Sequence, residues 1–221
     1  MTIILSLVFI FLVLIISEFL WRSNKLEPET ARKFIHIAIG SFIAFWPLYM
    51  SWRTIQLLSV AMFLGVLVSY QFGIFGAIHH VKRRTSGELW YPIGVGLSAC
   101  MTTQPWIFCV AILHLSLADG AAAIVGTKWG LHHKSYQIGT HTKSFLGSLA
   151  FFIVSCTLSL IAYIVLRDEL PGVSIAVFAT MPFLATAVES ISRRGLDNVF
   201  VPLSVIFALG YPTATLIFSS F

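Results

Sequence analysis

Charge is what this sequence has least of. Only 10% of its 221 residues are Asp, Glu, Lys or Arg, against about 25% in an average soluble domain. Nine acids and fourteen bases cannot cover a water-soluble fold of this size, so soluble enzymes and soluble binding modules are excluded. Cysteine is scarce too. Cys100, Cys109 and Cys156 sit in apolar runs with no CxxC pair and no His/Cys ligand spacing. That excludes a disulfide scaffold and a thiolate metal site, and the three are expected to be buried apolar residues. No linker, low-complexity tract or internal repeat interrupts the chain, so residues 1–221 are expected to form one domain. GxxxxGK[ST] and GxGxxG are both missing, which excludes a Walker A loop and a dinucleotide fingerprint. The bases are divided among short loops rather than gathered in one patch, so the net charge of +5 does not imply nucleic acid.

Apolar residues make up 57% of the chain, with a mean hydropathy of +0.89. This is the composition of an all-α, polytopic membrane protein. A span needs about 20 mostly apolar residues. Eight segments fit, at residues 2–20, 34–50, 54–72, 88–103, 105–126, 144–166, 173–190 and 199–218. The first has too long an apolar run and no basic flank, and Glu18-Phe-Leu-Trp-Arg22 is a poor cleavage site, so it is read as a helix and not a signal peptide. With the N-terminus outside, twelve Lys and Arg fall in inner loops, and Arg53 and Arg167 fall outside. If residues 88–103 only dip in and return, there are seven spans and the split is eight to six. The positive-inside tendency therefore selects eight spans with both termini outside.

Ionisable groups within spans are costly and mark function. Nearly all of them lie at the inner side. Arg32, His36 and Gly40 share one helix face at i, i+4 and i+8, with Lys33 beside them as an anchor or ligand. Lys82, Arg83 and Arg84 read as a topology signal, and Glu88 follows them just before Trp90-Tyr91-Pro92. Asp119, Ala123, Gly126 and Gly130 fall near one stripe, with Lys128 at its mouth. A buried carboxylate there needs a partner, and the small residues leave room for a ligand or metal. His114 is five residues from Asp119, about 140° around the helix, and is expected to be a structural contact. Gly139-Thr-His-Thr-Lys143-Ser144-Phe-Leu-Gly147-Ser148 precedes a helix whose N-terminus can bind an anion, although Thr142 or Ser144 can equally serve as a simple cap. Glu189 is expected to pair with Arg193 at i+4, and Asp197 to cap the last span.

Carboxylates, cations and glycine approaches at one membrane face are what transfer of a phosphoryl or nucleotidyl group requires. The pieces Arg32-Lys33-x-x-His36-x-x-x-Gly40, Gly87-Glu88-Leu-Trp-Tyr-Pro92-x-Gly94, Asp119-Gly-x-Ala-x-x-x-Gly126-x-x-x-Gly130, Lys143-Ser-x-x-Gly147-Ser148 and Glu189-(x)7-Asp197-Asn198-x-x-Val-Pro202 run in order across residues 30 to 205. In these the sequence resembles the CTP-dependent polyprenol kinases, which include dolichol kinase, phytol kinase and the yeast-type diacylglycerol kinase. The small size and the Gly-Glu-x-x-Tyr-Pro element look most like the phytol-kinase branch. The first span lies outside the matched region.

The resemblance implies an integral membrane enzyme that moves the γ-phosphate of CTP to a long-chain alcohol, such as phytol, geranylgeraniol or dolichol, with Mg2+ and an active site on the cytoplasmic side. On that reading Asp119 is expected to bind the metal with help from Glu88 or Asp197. Lys143, Lys128, Arg32 and Lys33 are expected to hold the triphosphate. Gly126 and Gly130 allow close approach, and Ser144, Gly147 and Ser148 add donors. His36 contacts a phosphate or positions the alcohol, and Glu189 and Asn198 stand at the rim. Two other readings stay open. The Asp119 and Lys143 pieces are also similar to CDP-diacylglycerol synthases, which transfer a cytidylyl group to phosphatidate, although the longer charged Lys–Asp signature of those enzymes is missing. A small transporter using Asp119 and His114 is the other, but its polar residues should continue through the outer half of the bilayer.

Overall fold

The computed structural model describes residues 1–76, 86–130, 134–139, 141–170 and 172–219, with side chains through residue 210. Among these, eight helices follow the eight apolar segments: α1 Thr2–Arg22, α2 Pro28–Ile43, α3 Trp52–Phe72, α4 Gly87–Met101, α5 Pro105–Lys128, α6 Phe145–Leu166, α7 Ile175–Ile191 and α8 Asp197–Ser219. A two-stranded antiparallel hairpin, β1 Ser135–Ile138 and β2 His141–Ser144, joins α5 to α6. The basic cluster of Lys82, Arg83 and Arg84 lies outside the described residues.

Local chemistry sets the helix ends. Pro28 occupies the first turn of α2, where its missing N–H costs nothing. The second helix therefore starts six residues before the expected apolar segment, and Arg32, Lys33 and His36 belong to it. The Ser51 hydroxyl accepts from the Thr54 N–H to start α3, and Gly73 closes that helix in a left-handed conformation at φ 62°. The Ser144 hydroxyl accepts from the Gly147 N–H at 3.0 Å and starts α6.

The helix α5 is the axis of the molecule. Its Phe108, Cys109, Ile112 and Leu115 pack with Ile39 and Ile43 of α2, Ile55 and Leu58 of α3, Val95 and Ala99 of α4, and Ile10 and Val13 of α1. Its other side, including Ile107, Val110, Ala111 and Ala122, packs with Phe151 of α6, Met181 and Ala185 of α7, and Val201 and Val205 of α8. Of the most apolar window of α5, 72% is buried inside the protein, against 22% for α1 and α3 and 28% for α6. These four helices are long and apolar enough to cross a membrane. The outward Leu57, Val60 and Leu64 of α3 and Ile161, Ile164 and Val165 of α6 are exposed. That is the inside-out pattern of a membrane protein, whose peripheral helices face acyl chains. The cysteines divide: Cys109 is buried, Cys156 half-buried and Cys100 exposed, and all three are free. Cys100 corrects the expectation of burial, because it faces outward from the end of α4.

Helices cross closely where glycines remove side chains. A Cβ on Gly40 would meet Ser116 and Tyr91, and one on Gly120 would meet Ile37, so α2 lies directly on α5. Gly94 of α4 faces the backbone of Asn198 in α8, and Gly126 of α5 faces Gly147 of α6.

Candidate active site

Midway along α5 the backbone loosens into a π turn over His114–Ala118, immediately before Asp119. Such wide turns occur chiefly at functional sites. The Leu115 carbonyl of this turn accepts from His36 Nε2 at 2.8 Å, and the same nitrogen lies 3.4 Å from an Asp119 oxygen. The Lys33 Nζ is 2.6 Å from Asp119 Oδ2, with both side chains buried. It is thus Lys33, one residue round the helix from Arg32, that reaches the buried acid, and it does so as a partner inside the protein rather than as a surface anchor. Arg32 forks onto Glu29, at 2.7 and 3.2 Å. His114 Nδ1 donates to the Val110 carbonyl, 2.8 Å away, one turn back on its own helix, and stays apart from Asp119 as the helix geometry requires.

Two further acids converge on Asp119. Glu189 comes from the last turn of α7 and Asp197 from the first turn of α8. One carboxylate oxygen from each of the three lies within 4.8 Å of the others. Lys143 of β2 reaches in from the hairpin, 2.6 Å from Glu189 Oε1 and 3.8 Å from Asp197 Oδ2, and also donates to the Glu189 carbonyl. Burial alone would lower the pKa of the Lys143 ammonium, but the Glu189 and Asp197 carboxylates outweigh it and hold that pKa above its ordinary 10.5. Lys143, not Arg193, is therefore the partner of Glu189.

These groups line a cavity of about 900 Å3. Arg32, Lys33, Asp119, Gly126, Gly130, Lys143, Ser144, Gly147, Ser148, Glu189, Asp197 and Asn198 all face it, so the structure brings together most of the residues singled out in the sequence. Three do not line it. Lys128 is exposed at the end of α5, because the stripe of Asp119, Ala123, Gly126 and Gly130 that lines the cavity leaves it on another side. Glu88 accepts from the Tyr70 hydroxyl on α3 and is not among the residues that line the cavity, where Glu189 joins Asp119 and Asp197 instead. His36 sits behind Asp119. Among the loop donors, the Gly147 N–H is occupied by Ser144, and the Ser148 hydroxyl bonds that of Tyr136 at 2.7 Å. Asn198 donates to the Gly87 carbonyl at 3.0 Å and ties α8 to α4.

The donor set suits a hard divalent cation. Three carboxylates from three helices supply the oxygen ligands that such ions take, and the two ammonium groups offset only part of their charge. Sequence reasoning missed the π turn, which has no compositional signal. It also missed the hairpin, although alternation of Tyr136 and Ile138 followed by Gly139-Thr140 is a strand-and-turn pattern.

No family model and no solved structure matches the chain. Among curated proteins, a phytol kinase from Synechocystis sp. is 29% identical over 197 residues, covering 86% of this chain and 82% of that protein. That similarity runs through most of the chain. The similarity supports the polyprenol kinase family, and within it the phytol-kinase branch.

Proposed function

We propose that this protein transfers the γ-phosphate of CTP, or of another nucleoside triphosphate, to the hydroxyl of a long-chain isoprenoid alcohol, with phytol, geranylgeraniol and dolichol as the candidates. The observation that carries the reading is the meeting of Asp119, Glu189 and Asp197 within 4.8 Å, flanked by Lys33 and Lys143, in a cavity large enough for a nucleotide. The Synechocystis relative supports the kinase class.

In the reaction the alcohol oxygen forms a new bond to the γ-phosphorus. The bond from that phosphorus to its bridging oxygen breaks, and the nucleoside diphosphate leaves with the electron pair. The hydroxyl proton passes to a phosphate oxygen or to water. A loose transition state asks little of a base, so positioning and charge dominate. Asp119, Glu189 and Asp197 are the residues that would hold Mg2+, which when bound neutralises phosphate oxygens. Lys33 and Lys143 add positive charge beside the transferring group. His36, hydrogen-bonded to the Leu115 carbonyl and close to Asp119, is a positioning residue for that carboxylate. The basic inner loops support a cytoplasmic active site with both termini outside. Tags at each end, tested for protease access in sealed vesicles, check that orientation.

The deciding experiment offers purified protein Mg2+, CTP labelled at the α or γ phosphorus, and phytol, geranylgeraniol, diacylglycerol or phosphatidate. Label from the γ position in the lipid is expected. Label from the α position with released pyrophosphate would instead mean cytidylyl transfer, and no label from CTP, ATP or GTP would overturn the reading.

A further inference from the structure

Among the described residues, five cationic side chains and four carboxylates line the cavity. Every carboxylate has a partner: Glu29 has Arg32, Asp119 has Lys33, and Glu189 and Asp197 share Lys143. Two cations are left over. Arg193 and Arg194, in the short connection between α7 and α8, have no carboxylate within ion-pair distance among the described residues, and both are exposed at the cavity mouth.

The backbone here is held in a costly shape. Arg194 has φ 53°, a left-handed conformation uncommon for side chains other than Gly, Asn and Asp. Gly195 follows at φ 87° and presses on Gly87, leaving no room for a Cβ. The Arg194 carbonyl accepts from the Ser86 N–H at 3.3 Å, which fastens the connection to the start of α4. Arg193 reaches the other way. Its Nη1 lies 2.7 Å from where a Cβ on Gly139 would sit, so the guanidinium rests on the bare turn of the hairpin. Strained backbone maintained by its surroundings concentrates at ligand clamps, and a guanidinium's planar fork matches phosphate oxygens better than an ammonium does.

We infer that Arg193 and Arg194 grip the non-transferred phosphates of the donor nucleotide at the cavity mouth, while Lys33 and Lys143 remain with the carboxylates deeper in. This inference rests on the kinase reading. It divides the site in two. The deep end, on α2, α5 and the ends of α7 and α8, handles the transferring group beside the lipid. The outer end, on the Arg193-Arg194 connection and the hairpin turn, holds the rest of the polyphosphate. The arginines thus govern donor affinity, not the chemical step.

The test uses full-length protein in detergent with Arg193→Gln, Arg194→Asn and the double variant. Asn tolerates the left-handed backbone, and Arg53→Gln at the opposite end of the molecule serves as control. Each single change is expected to raise the donor KM roughly tenfold or more. The kcat should stay within about threefold, and the KM for the alcohol should not move. Calorimetric binding of inorganic tripolyphosphate should weaken in parallel. Unchanged donor KM and unchanged tripolyphosphate binding in a folded double variant would overturn the inference, as would a change confined to the alcohol KM. If the wild-type protein transfers no phosphate, the kinase reading fails by that result. Tripolyphosphate binding, lost or kept in the double variant, then still decides whether the arginines form an anion site.

Discussion

The ammonium of Lys33 lies 2.6 Å from the carboxylate of Asp119, joining residues 86 positions apart inside the protein. Two charges taken out of water together survive only because each answers the other. The contact exists because Gly40 and Gly120 let α2 lie directly on α5, and because the π turn before Asp119 presents the Leu115 carbonyl to His36.

Removing one member of this pair leaves the other buried and uncompensated, at a cost of about 3–5 kcal/mol. Asp119→Asn is therefore expected to abolish measurable transfer and to lower the melting temperature. Lys33→Met combined with Asp119→Asn should regain part of the melting temperature and none of the activity. Thermal unfolding in detergent beside a transfer assay reads both. Near-normal activity in Asp119→Asn would remove Asp119 from the mechanism.

Glu189 and Glu88 make opposite predictions. Glu189 shares the cavity with Asp119 and Asp197, so Glu189→Gln should cut kcat by at least about a hundredfold. Glu88 is turned toward Tyr70, and Glu88→Gln should keep kcat within about threefold. Equal losses in the two variants would contradict the arrangement of the carboxylates.

The crossing of α4 and α8 is equally open to trial. A methyl group on Gly94 would run into the carbonyl of Asn198, and overpacking of this kind costs about 1–3 kcal/mol. Gly65, in the middle of α3, has open space around it, and there Ala is expected to stabilise by about 0.5–1 kcal/mol. Melting temperatures of Gly94→Ala and Gly65→Ala should therefore move in opposite directions.

The raised pKa of Lys143 fixes a pH response. A base whose pKa is raised on folding contributes stability that is complete below its unfolded value, here 10.5, and that fades only as pH climbs through the higher folded value. Between pH 7 and 9 the Lys143–Glu189 contribution should be constant. Lys143→Met should lower the melting temperature by the same amount at both values. A gap that closes toward pH 9 would place the pKa of Lys143 below, not above, its ordinary value.

Helix positions were legible in the sequence because an apolar run of span length has few other uses, and eight runs became eight helices. The stripe from Asp119 to Gly130 was legible because that part of α5 is regular. Partnerships were harder to read. Periodicity grouped Arg32 with His36, yet Lys33 reaches Asp119, since the crossing of α2 over α5 decides which side of α2 faces inward. Glu189 has Arg193 one turn away in sequence, but a strand from elsewhere delivers Lys143. Glu88 was drawn to the site by its neighbours in the motif, and only the position of Tyr70 shows it pointing elsewhere. In each case the deciding fact is the meeting of two elements distant in the chain.

The burial of α5 has a mechanical consequence. Acyl chains press on α1, α3 and α6, whose apolar windows are mostly uncovered, and scarcely reach the helix that carries Asp119. A thinner or thicker bilayer is accommodated first by tilting those outer helices. Lipid composition should thus regulate how readily a greasy acceptor arrives, while the arrangement of the three acids stays insulated from the width of the host membrane.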